Sequence, residues 1–148
     1  MNPLATITAG TSDRASHEAP TSTVKNVSEL AGRSLLSVLF LLSGVGKISA
    51  YAATAAYMSS VGVPGGLLPV VIATEVLGAT AIVLGWQTRV SALLLAGYSL
   101  LAALIFHTNF ADQIEMIMFL KNVSIAGGFL LLVANGAGPL SLDRRLGK

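Results

Sequence analysis

Four long apolar runs constrain this chain more than any other feature of its sequence. They cover about residues 30–48, 67–86, 90–107 and 116–135, and each is close to the roughly 20 residues with which an α-helix crosses the hydrocarbon core of a bilayer. A helix satisfies its backbone hydrogen bonds internally, whereas a spanning strand needs a closed barrel. The runs therefore predict an all-α, integral membrane protein, an antiparallel four-helix transmembrane bundle.

Composition excludes a soluble bundle and several chemistries. Hydrophobic residues make up 53% of the chain and charged residues 11%, whereas ordinary globular proteins carry about 25% charged residues. The absence of cysteine excludes thiolate metal sites and CxxC redox chemistry within this chain. A net charge of +2, without a basic run interleaved with aromatics, gives no reason to expect nucleic acid as a partner. The lipid bilayer is the expected surrounding.

The segments outside the runs differ from one another. Residues 1–28 are rich in Ser, Thr, Ala and Pro and predict a flexible cytoplasmic tail, although an arm that binds a partner is the alternative. Residues 29–142 form the predicted membrane domain, and 143–148 a basic cytoplasmic tail. Between the first two runs, apolar residues recur at helical spacing from Tyr51 to Gly62, which predicts a short interfacial helix anchored by Tyr51 and Tyr57.

The distribution of Lys and Arg predicts the orientation in the membrane. With four spans, both termini lie on one side, and a tight turn at residues 87–89 joins the second and third spans as neighbours. The side of the termini holds six cationic residues and the other side two, namely Lys47 and Lys121. By the positive-inside rule, both termini are cytoplasmic.

Glu75 is the most informative polar residue. It lies about nine residues into the second span, or roughly 12 Å deep at about 1.5 Å per residue. A charged side chain at the bilayer centre costs about 2.5–3.5 kcal/mol on insertion scales. Glu75 therefore needs a partner or a wet cavity, and Lys47, His107 and Lys121 reach a similar depth in the outer half.

Helical spacing predicts which residues face the bundle interior. In the first span these residues are Arg33, Ser37, Phe40, Gly44 and Lys47, and in the fourth they are Lys121, Ser124, Gly128, Leu131 and Asn135. Ala92, Ala96, Ser99 and Ala103 form a face of small residues in the third span, and Glu75 stacks with Gly78 in the second. Small residues allow close helix approach in lipid, so Gly44, Gly78 and Gly128 are expected to be structural.

Each polar residue has a structural alternative. Glu75 with Lys47 or Lys121 could be an ion pair that fixes helix register, rather than part of a ligand or proton site. His107 could be a wet loop histidine. Arg33 is expected to be structural, to pair with Glu29 and to reach the headgroups. His107, Asp112 and Glu115 match no strong metal-ligand spacing, so no metal is expected.

Several stretches in order resemble the DoxX family of small four-helix membrane proteins. The resemblance covers about residues 28–142, and the stretches are Gly32-Arg33, 40–47 (FLLSGVGK), 61–64 (VGVP), 75–78 (EVLG), Phe106-His107, 119–122 (FLKN) and 138–143 (GPLSLD). The polar residues singled out by membrane energetics lie within these stretches. The stretch 119–122 adds Asn122 to the candidates.

The resemblance implies function only at the level of a class. Relatives resemble membrane subunits of quinone-linked oxidoreductases, and others are associated with oxidative stress. We therefore expect a ligand site formed by Lys47, Glu75, His107, Lys121 and Asn122, with quinone as the candidate ligand and no covalently bound cofactor. The catalytic residues are unknown. The alternative is a non-catalytic subunit that anchors a larger membrane complex in the inner membrane; a small permease is a further one.

The predicted orientation can be tested by cysteine labelling, because the chain has no cysteine of its own. A cysteine introduced at Asp112 should react with an impermeant thiol reagent in intact cells. A cysteine at Arg144 should react only after lysis. The opposite pattern would refute the orientation.

Overall fold

The computed structural model describes residues 22–147, and the predicted tail over residues 1–21 lies outside the described residues. The helices are α1 (Ser22–Ser49), α2 (Tyr51–Ser60), α3 (Leu68–Leu84), α4 (Thr88–Phe106), α5 (Gln113–Asn135) and α6 (Leu142–Arg145), with a short 3₁₀ turn at Gly65–Leu67 before α3. Four of them, α1, α3 with its 3₁₀ turn, α4 and α5, are long and apolar enough to cross a membrane. The predicted all-α four-helix membrane bundle is confirmed.

Both segments predicted as tails contain helical residues. Helix α1 begins at Ser22, so residues 22–28 are helical. No Gly or Pro interrupts this stretch, and Lys25 Nζ lies 3.9 Å from Glu29 Oε1, an i,i+4 pair of the kind that supports a helix. At the other end, α6 takes up part of residues 143–148.

The bundle packs as two pairs of helices, α1 against α3 and α4 against α5, joined by the contact of α3 with α4. Phe40, Ile82, Leu95 and Phe129 form the centre of the core, together with buried alanines. The rings of Phe40 and Phe129 lie 5.4 Å apart between centroids, which connects α1 to α5 across this centre.

The inward faces predicted for α1 and α4 are confirmed, and the face predicted for α5 is wrong. Arg33, Ser37, Phe40 and Gly44 are buried on α1, as are Ala92, Ala96, Ser99 and Ala103 on α4. On α5 the buried residues are Ala126 and Phe129, whereas Lys121, Ser124 and Leu131 are exposed. Because α5 is apolar all round, spacing gives no clear face, and the large Phe129 ring determines which side packs inward.

The three glycines expected to be structural lie at helix contacts. A Cβ added to Gly44 would come 2.6 Å from Val76 Cγ2 on α3. At Gly78 and Gly128, an added Cβ would come 3.2 Å from Leu95 and Leu36 side-chain atoms, respectively. Gly44 is the tightest of these contacts, and it lets α1 approach α3 beside Glu75.

The short connections agree with the prediction. Helix α2 follows α1 directly and buries Met58, while Tyr57 stacks on Phe106 with 5.8 Å between ring centroids. Between α3 and α4 the chain turns at Gly85 and Gln87, which have φ angles of 66° and 47°. A tight turn is therefore present, but at residues 85–87 and not at the predicted 87–89, because Thr88 and Arg89 already belong to α4. It makes α3 and α4 antiparallel neighbours, as predicted.

Arg33 of α1 contacts the loop that follows α5. Its residue is 2% exposed, Nη1 donates to the Ala137 carbonyl at 3.0 Å, and Nη2 donates to the Leu140 carbonyl. The expectation that Arg33 reaches the headgroups is therefore wrong, because the loop after α5 folds beneath it and supplies acceptors. Glu29 forms an ion pair with Lys25, with 3.9 Å between Nζ and Oε1.

The same loop is held on the α3–α4 turn by Asp143. Its carboxylate oxygens accept from the backbone N–H groups of Gln87 at 2.7 Å and Thr88 at 2.8 Å. The Asp143 N–H donates to the Gly85 carbonyl at 2.8 Å. The carboxylate thus satisfies N–H groups at the start of α4 that have no partner within the helix.

Removing the Arg33 guanidinium should destabilise the bundle. In Arg33→Ala two loop carbonyls lose a charged donor, and each such hydrogen bond contributes about 1.5–3 kcal/mol. We expect the free energy of unfolding to fall by about 3 kcal/mol or more, measured by thermal unfolding in detergent. The matched control is Arg145→Ala, an exposed arginine of α6. Equal melting of both variants would contradict the role of Arg33.

Candidate functional site

Glu75 lies on α3 in the bundle interior, where its residue is 2% exposed. Its two carboxylate oxygens, Oε1 and Oε2, accept from Lys47 Nζ of α1 at 2.9 and 3.0 Å. The sequence left Lys47 and Lys121 as alternative partners, and the structure selects Lys47. A bidentate contact of this kind joins α1 to α3 at the depth where an isolated charge would be most costly.

Two neutral hydroxyl groups complete the surroundings of the carboxylate. Tyr98 OH of α4 donates to Glu75 Oε1 at 2.6 Å. Ser43 Oγ donates to the same oxygen at 3.2 Å and accepts from Lys47 Nζ at 2.6 Å. Three helices therefore contribute to one hydrogen-bonded cluster, which we call the Glu75 cluster: Ser43, Lys47, Glu75 and Tyr98.

Sequence reasoning missed Tyr98 and Ser43 as site residues. Ser43 lies four residues before Lys47 on the same side of α1, and this spacing pointed to a contact. Tyr98 lies next to Ser99 of the small-residue face, in the middle of the third span. A phenol hydroxyl at this depth needs a buried acceptor, and that requirement was the available indication.

A cavity of about 490 Å³ lies beside the Glu75 cluster. All five residues predicted as ligand-binding contribute to its lining: Lys47, Glu75, His107, Lys121 and Asn122. Apolar side chains from α1, α2, α3 and α4 form most of the remaining wall, among them Leu39, Tyr57, Val71 and Leu101. The predicted residues thus surround one space, although they do not all contact one another.

Lys121 lies at the cavity without contacting Glu75. Its Nζ donates to Met118 Sδ at 3.0 Å, and a thioether sulfur is a weak acceptor. Its neighbour Asn122 donates through Nδ2 to the Met118 carbonyl at 2.9 Å. Among the salt bridges of residues 22–147, none involves Lys121. Lys121 therefore contributes a positive charge to the cavity lining. No acidic side chain of residues 22–147 forms a salt bridge with it.

His107 and Glu115 form a pair at another part of the cavity wall. His107 Nδ1 lies 2.8 Å from Glu115 Oε2. Asp112 is directed elsewhere, since its Oδ1 caps α5 by accepting from Ile114 N at 2.7 Å and Glu115 N at 3.4 Å. Over residues 22–147 there is no group of three or more His, Cys, Asp and Glu side chains positioned to hold a metal ion.

The charges lining the cavity do not balance. Lys47 and Glu75 neutralise each other at 2.9 Å, and His107 is in contact with Glu115. Lys121 remains as the cation without an acidic partner among the described residues. The cavity consequently combines apolar walls with one cationic donor, and this combination suits an apolar ligand that carries an acceptor oxygen.

The Lys47–Glu75 pair predicts a specific pattern of stability. Glu75→Ala leaves Lys47 with no carboxylate, and removing one partner of a buried pair typically costs about 3–5 kcal/mol. The double variant Lys47→Met with Glu75→Gln removes both charges and should recover much of that loss. Combining Glu75→Gln with Lys121→Met should not recover it, because Lys121 is not the partner. Thermal unfolding of the three variants measures this, and equal recovery by both doubles would refute the pairing.

Comparisons with known proteins agree with this architecture. Residues 28–108 match the family model described as DoxX. The chain is 48% identical over 125 residues to "Inner membrane protein YqjF" of Escherichia coli (strain K12), which covers 84% of this chain and 96% of the relative. It is 43% identical over 123 residues to "Inner membrane protein YphA" of the same organism, covering 78% and 88%. No solved structure matches the chain. This chain therefore belongs to the DoxX family of membrane proteins.

Proposed function

We propose that this chain is an inner-membrane subunit of a quinone-linked redox or oxidative-stress system, and that its cavity binds a quinone-like or small polar ligand. The observation that supports this most is the cavity of about 490 Å³ to which five separate polar residues contribute. Small-molecule sites typically occupy about 300–1,000 Å³ and combine apolar walls with a few polar groups. A quinone head is a flat apolar ring with two carbonyl acceptors, which fits this description.

Lys121 and Asn122 are the residues that we assign to binding the ligand head. The ammonium of Lys121 donates one hydrogen bond to the Met118 thioether. Its remaining N–H groups can donate to a carbonyl oxygen of the ligand. Asn122 donates to the Met118 carbonyl, and its own side-chain oxygen can accept from a hydroxyl of the reduced ligand. The pair thus recognises both the carbonyl form and the hydroxyl form of one head group.

The Glu75 cluster is the group that we assign to holding and moving protons. Reduction of a quinone to a hydroquinone takes up two electrons and two protons at the two carbonyl oxygens. Tyr98, which donates to Glu75 at 2.6 Å, lines the same cavity and can relay a proton between the carboxylate and the ligand. The electrons are assigned to a partner oxidoreductase, and this chain binds the ligand and exchanges its protons.

Localisation follows from the relatives and from charge. Both relatives carry "Inner membrane protein" in their names, and the Lys and Arg count predicts cytoplasmic termini. With that orientation the cavity lies in the outer half of the membrane, because Lys47 ends α1 and Lys121 follows the start of α5 on that side. The ligand would exchange its protons toward the periplasm.

Binding of a short-chain quinone to the purified protein tests the proposal. Lys121→Met removes the unpaired cation, and a hydrogen bond to a charged group contributes about 1.5–3 kcal/mol. We expect the dissociation constant to rise by about tenfold to a hundredfold, since about 1.4 kcal/mol is a factor of ten. Equilibrium dialysis measures it.

The control is Lys25→Met, the same substitution at an exposed lysine of α1 outside the cavity lining. It should bind as the unchanged protein does. Failure of the folded, unchanged protein to bind quinone would overturn the proposal. A mild-detergent pull-down tests the alternative of an anchoring subunit. Anchoring would be favoured by a stoichiometric complex that is lost on deletion of residues 1–28. The activity of that complex should then be the same in Lys121→Met and Glu75→Gln.

A further inference from the structure

A second cavity lies at the opposite end of the bundle from the Glu75 cluster. It has a volume of about 510 Å³ and lies between the α3–α4 turn and the loop that follows α5. The side chains and backbone of residues 87–89, 135–139, 141, 143 and 144 line it. Arg89 and Arg144, both exposed, are the cationic residues of this lining.

The polar groups of this cavity favour an anion. Among the described residues, neither Arg89 nor Arg144 takes part in a salt bridge. Asp143 also lines the cavity, but its carboxylate accepts from two backbone N–H groups, those of Gln87 and Thr88. The Thr88 hydroxyl oxygen is buried and has no hydrogen-bond partner within residues 22–147. The cavity therefore has two arginine donors available to an occupant, and the unpartnered Thr88 hydroxyl is buried beneath its lining.

One of the arginines, Arg89, lies beside the loop after α5. Gly136 has a φ of 77°, and a Cβ at this residue would lie 3.7 Å from Arg89 Nε and 3.9 Å from Nη2. The Arg89 guanidinium thus lies close to the backbone of the loop. A planar guanidinium matches the paired oxygens of a phosphate better than an ammonium does.

The position of the cavity indicates where the phosphate comes from. It lies where α3 ends, α4 begins and α5 ends, which is the level of the lipid headgroups if these helices cross the bilayer. Trp86, half exposed beside the turn, is the residue type enriched at that level. We propose that this cavity binds the phosphate of an anionic phospholipid headgroup through Arg89 and Arg144. A volume near 510 Å³ accommodates a glycerophosphate group.

Lipid-dependent thermal stability of the purified protein tests the inference. The probes are phosphatidylglycerol, zwitterionic phosphatidylcholine and inorganic phosphate, each added to delipidated protein in neutral detergent. Phosphatidylglycerol should raise the melting temperature of the unchanged protein, and phosphatidylcholine should raise it less. The rise should be at least halved in Arg89→Gln and in Arg144→Gln. The matched control is Arg145→Gln, which removes the same charge from the same end but does not line the cavity.

The quantity compared is the shift that lipid causes in each variant, so a variant with a lower starting melting temperature still gives a result. Native mass spectrometry of the same variants counts retained lipids and covers any variant that melts without a clear transition. A rise with inorganic phosphate equal to that with phosphatidylglycerol would overturn the lipid source in favour of free phosphate. Equal shifts in Arg145→Gln and in the two cavity variants would overturn the site. Equal shifts with both lipids would overturn its selectivity for an anionic headgroup.

Discussion

The cost of placing a carboxylate within a bilayer determines much of this structure. A charge at the centre of a spanning helix costs about 2.5–3.5 kcal/mol on insertion scales, and Glu75 has almost no exposed surface. The bundle offsets that cost with donors from two other helices, Lys47 and Ser43 of α1 and Tyr98 of α4. These contacts require α1, α3 and α4 to meet at one depth, and the cavity lies beside that meeting point.

Arg33, in the middle of α1, imposes a second constraint. It lies 14 residues before Lys47, or about 21 Å along the helix axis at about 1.5 Å per residue. There it binds carbonyls of the loop after α5, while Asp143 fastens the same loop to the start of α4. Helix α1 thus carries two charged side chains with fixed partners, Arg33 in its middle and Lys47 in its last turn, and together these contacts fix its position and rotation relative to the other helices.

The sequence predicts this fold well because a bilayer makes it costly to place polar or charged residues in a spanning helix. Four runs of suitable length lead to four helices, and the cost of a buried carboxylate leads to Glu75 and a lysine partner. The rest depends on tertiary packing. Spacing misplaces the inward face of α5 because Phe129, not Lys121, packs against the core. In the sequence, Tyr98 is one more aromatic residue of an apolar run. The carbonyls that accept hydrogen bonds from Arg33 lie more than 100 residues away in the chain, so no local spacing indicates them.

Stability alone does not explain why an ion pair occupies this position. Replacing a buried ion pair by apolar residues of similar volume is often neutral or stabilising by about 1–4 kcal/mol, so Leu or Met at both positions would hold the helices at least as well. Glu75 also has two hydroxyl donors besides Lys47, since Tyr98 and Ser43 both donate to its carboxylate. All four side chains line one cavity, and Ser43, Lys47 and Tyr98 carry exchangeable protons. Lys121, which has no acidic partner within residues 22–147, lies at the wall of the same cavity. The proposed ligand-binding role of the cavity gives these polar groups a use beyond joining the helices.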